Sequence, residues 1–181
     1  RVFEMLDYPI DIKSPDTPKA FPDGLLEVDF KSVGFGYEGR YELLSDFSLT
    51  LAKGKVTALV GHTGAGKSTV ANLLQRYYDV TSGSVSINGI DVREFDLLGL
   101  RKRIGVVAQD PFLFDGSVKD NLILAKEEAT EEELVAALKG ASAWEFVSSL
   151  PDKMDTRIGE RGIRLSMGEK QRLTIARVIL R

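Results

Sequence analysis

The chain has 181 residues, 43% hydrophobic and 28% charged, which describes a folded globular protein and excludes a disordered or fibrous one. A net charge of −3 gives no general attraction to nucleic acid or anionic lipid, so no nucleic-acid partner is expected. With no cysteine and one histidine, disulfides, thiolate metal sites and histidine metal clusters are all excluded.

In chain order, "RVFEMLD" carries apolar residues at helical spacing, like the last turns of a helix begun upstream. "YPIDIKSPDTPKAFPDG" holds four prolines and reads as an extended linker. "LLEVDFKSVGFGY" and "LLSDFSLTLAKGK" alternate apolar and polar residues and predict antiparallel strands. "KVTALVG" predicts a short strand buried on both faces, as in a parallel sheet. "KSTVANLLQRYY" predicts a helix. "GSVSINGIDV" predicts a hairpin turning at Asn88-Gly89, followed by a short helix over Leu97–Arg103. "RIGVVAQD" predicts a second buried strand. Ser117 to Leu150 is helical in pattern, with a capping box at Thr130 and Glu133. "SMGEKQRLTIARVIL" predicts a helix starting near Ser166. None of these runs reaches the roughly 18 apolar residues a membrane crossing requires.

The stretch "GHTGAGKST" between the apolar strand and the first helix fits the phosphate-binding loop pattern, Gly61-x-x-x-x-Gly66-Lys67-Ser68. Its glycines let successive N–H groups converge on one point, and the following helix adds its positive N-terminal end. Gly61, His62, Thr63, Gly64, Ala65 and Gly66 form the cradle. Lys67 reaches the β- and γ-phosphates, Ser68 offers a hydroxyl to Mg²⁺, and Thr69 is placed for the α-phosphate. The bland alternative is a glycine-rich turn without a ligand. Chance alone gives the four fixed positions in such a chain less than about one time in a hundred. His62 sits at a variable position and reads as a solvent-facing loop residue.

Further motifs decide among phosphate-loop proteins. Leu165-Ser166-x-Gly168 with Gln171-Arg172 resembles the signature of ATP-binding cassette (ABC) proteins. "VGFGY" resembles their aromatic loop, "VVAQDPFLFDGSVKDNL" their Q-loop, and "TRIGERG" the loop that precedes the signature in exporters. "RVFEMLDYP" resembles the junction between an exporter's last transmembrane helix and its ATP-binding domain. The resemblance covers essentially the whole chain.

It implies an α/β fold: a P-loop NTPase core with an N-terminal antiparallel β layer and a helical signature subdomain, the C-terminal part of the core missing. Residues 1–24 would be the linker and 25–181 an incomplete ATP-binding domain, with the core over about 25–110 and the helical subdomain over about 111–181. Tyr37 would stack on adenine, a contact worth about 1–3 kcal/mol. Gln109 would sense Mg²⁺ and the attacking water. Ser166, Met167, Gly168 and Glu169 would face the ATP of a second ATP-binding domain, identical or different. A capping box at Ser166 and Glu169 explains two of these residues as helix-start chemistry, and the readings coexist. The other implied partner is a transmembrane domain of the same transporter. The cofactors are ATP and Mg²⁺, and the location is the cytoplasmic face of a membrane, the cell membrane in a bacterium.

Two departures stand out. Where the family has Gly-Gly-Gln, this chain has Met167-Gly168-Glu169, which adds a side chain and a negative charge near the signature tip. No run of four apolar residues ends in Asp-Glu, so the general base is not in this chain and the 181 residues are expected not to hydrolyse ATP. The alternatives are a soluble ABC ATPase of DNA repair or translation, and a degenerate non-hydrolysing nucleotide-binding subunit.

Overall fold

Strand β1 (Val28–Phe35) puts Phe30, Val33 and Phe35 into the interior, with two exposed residues, Lys31 and Ser32, between the first two. Strict alternation cannot produce that spacing, and the backbone answers with a bulge. Ser32 takes φ 46, the register with β2 (Leu44–Leu51) shifts between Phe30 and Val33, and the Ser32 N–H donates to Ser48 Oγ. The described residues of the computed structural model are 11–39, 41–159, 162 and 164–181. The helical turns expected at 1–7 and part of the "GERG" loop lie outside them.

Strand β3 (Ser82–Ile87) pairs with the other edge of β1, and β4 (Ile90–Asp91) closes a hairpin on β3. The sheet runs β2-β1-β3-β4 and every pair is antiparallel. Asn88 and Gly89 both have positive φ, 48° and 80°, as the tight hairpin turn requires. Gly83, at φ 73, lies so close to β1 that a Cβ there would stand 2.3 Å from the Lys31 carbonyl oxygen. Helix α1 (Lys67–Leu74) buries Val70 and Leu73 in the same apolar cluster as Phe30, Val85 and Ile87. It stops sooner than its sequence pattern suggests, because Arg76 turns left-handed (φ 52) and the Tyr77 N–H closes back on the Asn72 carbonyl. Helix α2 (Leu97–Arg103) is capped by Asp96, whose carboxylate accepts from the Gly99 N–H at 2.7 Å.

The proline-rich segment is held against this unit. Ser14 Oγ donates to Asp96 Oδ1 and accepts the Leu97 N–H, the Lys19 N–H donates to the Glu94 carbonyl, and the Phe21 ring packs on Phe95 at 5.0 Å.

A second compact unit begins at Gly105. It is helical: α3 (Val118–Ile123), α4 (Glu131–Gly140), α5 (Trp144–Ser149) and α6 (Met167–Leu180). Leu122, Leu134, Leu138, Val147 and Leu173 share one core. The expected capping box at α4 is present, with Thr130 and Glu133 each accepting from the other's N–H.

Two expected strands differ. Neither 55–61 nor 104–108 carries a ladder, and Val56 and Val60 are 101% and 94% exposed. A strand buried on both faces needs hydrogen-bonding neighbours and covering layers. Among the described residues the named strands all belong to the antiparallel sheet, so these apolar runs have no strand to pair with.

The two glycines of β3 and its hairpin should respond unequally to substitution. Gly89→Ala, with nothing near its Cβ, is expected to cost about 1 kcal/mol of left-handed strain. Gly83→Ala adds a backbone collision and should cost about 3 kcal/mol or more. Urea unfolding of both variants measures the difference, and equal midpoints would contradict the account.

Candidate functional site

The chemistry of the first unit begins with how α1 starts. Gly64 and Gly66 both sit at φ 86, a conformation that side chains disfavour. Because Gly66 is the residue before the helix, no side chain caps the first turn, and no acidic residue lies in it. The leading N–H groups of a helix have no partner within the helix itself. Elsewhere this chain satisfies them: Asp96, Ser117, Thr130 and Ser166 cap α2, α3, α4 and α6. Helix α5 also lacks a side-chain cap, but it carries Glu145 in its first turn. Helix α1 alone among them combines a glycine start with the absence of negative charge. The amides of this first turn therefore have no side-chain acceptor, and with the positive helix end they suit an anion.

The loop side chains surround that point. Lys67 Nζ donates to the Gly61 and His62 carbonyls at 2.7 and 2.8 Å, folding its ammonium over the loop entrance. Ser68 is exposed, and Thr69 is buried with its hydroxyl against a partner. That partner is Tyr37, whose hydroxyl lies 3.1 Å from Thr69 Oγ1 although 32 residues separate them. The Tyr37 ring stands edge-to-face against Phe35 and Tyr78, with centroids 5.0 and 5.1 Å away. His62 is exposed with Nδ1 2.9 Å from the Thr63 carbonyl, a local loop contact. Thr63 and Ala65 complete the turn, where the Ala65 N–H donates to the His62 carbonyl. Tyr37 and the whole 61–69 loop are thus brought together in one unit.

Gln109 and the 166–169 segment belong to the second unit. Gln109 is exposed in a bend after the irregular stretch 104–108. At the start of α6, the Ser166 N–H and Oγ both donate to Glu169 Oε2, at 2.8 and 2.7 Å, while Ser166 Oγ accepts from the Glu169 N–H. The hydrogen bond from the Ser166 side chain, then that from its backbone, holds the Glu169 carboxyl below its ordinary value. Met167 is exposed, and a Cβ on Gly168 would meet nothing within 4 Å. The unit's own packing therefore does not demand glycine at 168.

Sequence reasoning missed Asn121 and Arg177, which the structure ties together in the second unit. The available signal was one charged residue, an arginine, inside the mostly apolar "LTIARVIL".

Residues 44–181 match the family model described as ABC transporter. The chain is 45% identical over 184 residues to a putative multidrug export ATP-binding/permease protein, YgaD, of Bacillus subtilis, covering 100% of this chain and 31% of that protein. It is 43% identical over 180 residues to an uncharacterized ABC transporter ATP-binding protein of Sinorhizobium fredii, covering 99% and 31%. Among solved structures, one of a bacterial Atm1-family ABC exporter with ATP bound superposes with a TM-score of 0.93 at 39% identity, over 98% of this chain and 31% of that one. The chain thus spans about a third of the length of these relatives.

The depressed carboxyl of Glu169 has a pH consequence. Its contribution to the start of α6 is fully present above the ordinary value of 4.5 and is lost as pH falls through 4.5 toward the lower folded value. Thermal melts of the protein and of Glu169→Gln should therefore converge as pH drops below 4.5. A difference that stays constant across that window would contradict the capping role.

Proposed function

The chain belongs to the ABC transporter family, and from that premise we propose that it is the ATP-binding motor domain of a membrane exporter. ATP is held at Gly61–Thr69 and clamped by the signature of a second such domain. The observation that carries the proposal is the uncapped, acid-free start of α1. An isolated domain gains nothing from leaving those amides open, since a serine or aspartate before the helix would outdo glycine by roughly a few tenths of a kcal/mol. A polyphosphate repays the omission.

In this reading the backbone of 61–66 and the Lys67 ammonium bind the phosphates, with Lys67 exchanging its two loop carbonyls for phosphate oxygens. The exposed Ser68 hydroxyl, an oxygen donor of the kind Mg²⁺ takes, holds the ion. Bound Mg²⁺ supplies charge neutralisation at the β- and γ-phosphates. Thr69, already bonded to the Tyr37 hydroxyl, meets the α-phosphate, and the Tyr37 ring supports the base. Gln109 orients water and the metal ion. Ser166, Met167, Gly168 and Glu169 present the start of α6 to the nucleotide of the partner domain. Two domains, identical or different, then share each ATP, and loss of the γ-phosphate removes contacts made only in the joined state.

The exposed pair Phe112 and Phe114 is the docking point for the transmembrane part, which fits relatives named as ATP-binding/permease proteins three times as long. The proposal places the domain on the cytoplasmic face of a membrane. No helix among the described residues is long and apolar enough to cross one. With no apolar run ending in Asp-Glu, these 181 residues bind nucleotide without supplying the water-activating base.

In the intact transporter, Lys67→Ala is expected to weaken binding of a fluorescent ATP analogue by about 10–100-fold, the loss of charged hydrogen bonds. Affinity within about threefold of the unmodified protein would sink the proposal. Purified residues 1–181 should show no magnesium-dependent ATP hydrolysis above that of their own Lys67→Ala variant.

A further inference from the structure

Outside the phosphate loop, the second unit contains a polar construction in which a buried asparagine meets a half-buried arginine. Asn121 is 1% exposed, and its side chain uses its full hydrogen-bonding capacity. Its Oδ1 accepts the Phe114 N–H at 2.8 Å and a hydrogen bond from Arg177 Nη2. Its Nδ2 donates to the carbonyls of Phe114 and Ser117, both at 2.9 Å. Arg177 reaches in from the far turn of α6. Its Nε donates to the Asn121 carbonyl and its Nη1 to the Phe112 carbonyl, each at 2.8 Å. Its guanidinium lies 5.9 Å from the centre of the Phe114 ring.

These groups cost free energy to bury. The guanidinium faces carbonyl oxygens, and the ion pairs between described residues do not include it. Desolvation by partial burial lowers its pKa. An apolar side chain there would leave the Phe112 and Asn121 carbonyls and Asn121 Oδ1 without this donor, so the arginine is tied to the loop backbone it bonds. What the arrangement fixes is geometry. Between them, Asn121 and Arg177 bond the backbone of Phe112 and Phe114 on both sides of Leu113, which is itself fully buried. The two flanking rings, 51% and 53% exposed, stand edge-to-face 5.0 Å apart. Ordinarily, a surface loop bearing two phenylalanines would be free to fold them inward.

The geometry points to Asn121 and Arg177 as positioning residues that make the Phe112–Phe114 pair and α6 one rigid body. Movement of the signature end would then reach the docking surface without slack. Arg177 follows Ser166 by eleven positions on a continuous helix, about 16 Å along its axis. A displacement at Ser166 on nucleotide binding is carried by α6 to the arginine, and by its fork to the loop carbonyls. This rests on the functional reading above, which supplies the nucleotide at one end and the membrane partner at the other.

Hydrogen–deuterium exchange on the full-length transporter in lipid nanodiscs tests it, with and without ATP and orthovanadate. Amides of the 112–114 segment, led by that of Phe114, which donates to Asn121 Oδ1, should be protected and should change protection on trapping. In Arg177→Gln they should exchange about ten-fold faster, from the loss of the fork, and the nucleotide-dependent change should vanish while trapping persists. A fold-stabilising role alone would leave that nucleotide response in place, so its retention in Arg177→Gln overturns the inference, as does unaltered exchange. Should the glutamine variant not fold, Arg177→Lys decides: it keeps the charge without the fork, and exchange equal to the parent's overturns the inference. A parent that traps nucleotide with no response at 112–114 sinks this inference alone. A parent that traps none sinks the functional reading and this with it.

Discussion

The start of α1 is the constraint on which the rest depends. A helix of eight residues gains stability from any acceptor at its N-terminus, and this chain supplies such acceptors to four other helices. At α1 it installs a glycine in the left-handed conformation instead, which offers no oxygen and costs conformational entropy on folding. The antiparallel sheet, the burial of Val70 and Leu73, and the contact between Tyr37 and Thr69 all hold that unfavourable turn in place. Local stability has been exchanged for a cluster of open donors.

The start of α6 uses the same element differently. There Glu169 closes the capping box with Ser166, so part of the donor set is satisfied internally, while Gly168 and Met167 stay open to whatever approaches. One helix presents bare amides and another a half-satisfied set. The first suits a ligand that must be gripped. In the proposed reading the second suits a surface that engages and releases, because its own side chains already satisfy part of it.

Much of this was legible in the sequence because the signals are local. Asn88-Gly89 dictates its turn, Thr130 and Glu133 their capping box, and Gly61 to Ser68 the loop, each within a few residues. Tyr37 reads as an ordinary strand residue until its place before the loop is considered, and only the fold shows its hydroxyl against Thr69. Apolar content points to strands at 55–61 and 103–110, but it describes what a strand prefers and not whether a neighbour exists to pair with it. Asn121 and Arg177, 56 residues apart, carry no joint signature in one sequence. Long-range polar pairs belong to the folded state.

The proline-rich segment carries a mechanical implication. Because Ser14, Lys19 and Phe21 are fastened to Asp96, Glu94 and Phe95, tension on the chain before Ser14 does not arrive first at β1. It enters at the corner where the β3–β4 hairpin gives way to α2, and β1 feels it only after those fastenings peel apart. The segment behaves as a tendon inserted on the body of the domain, and its point of insertion determines which part bears the load.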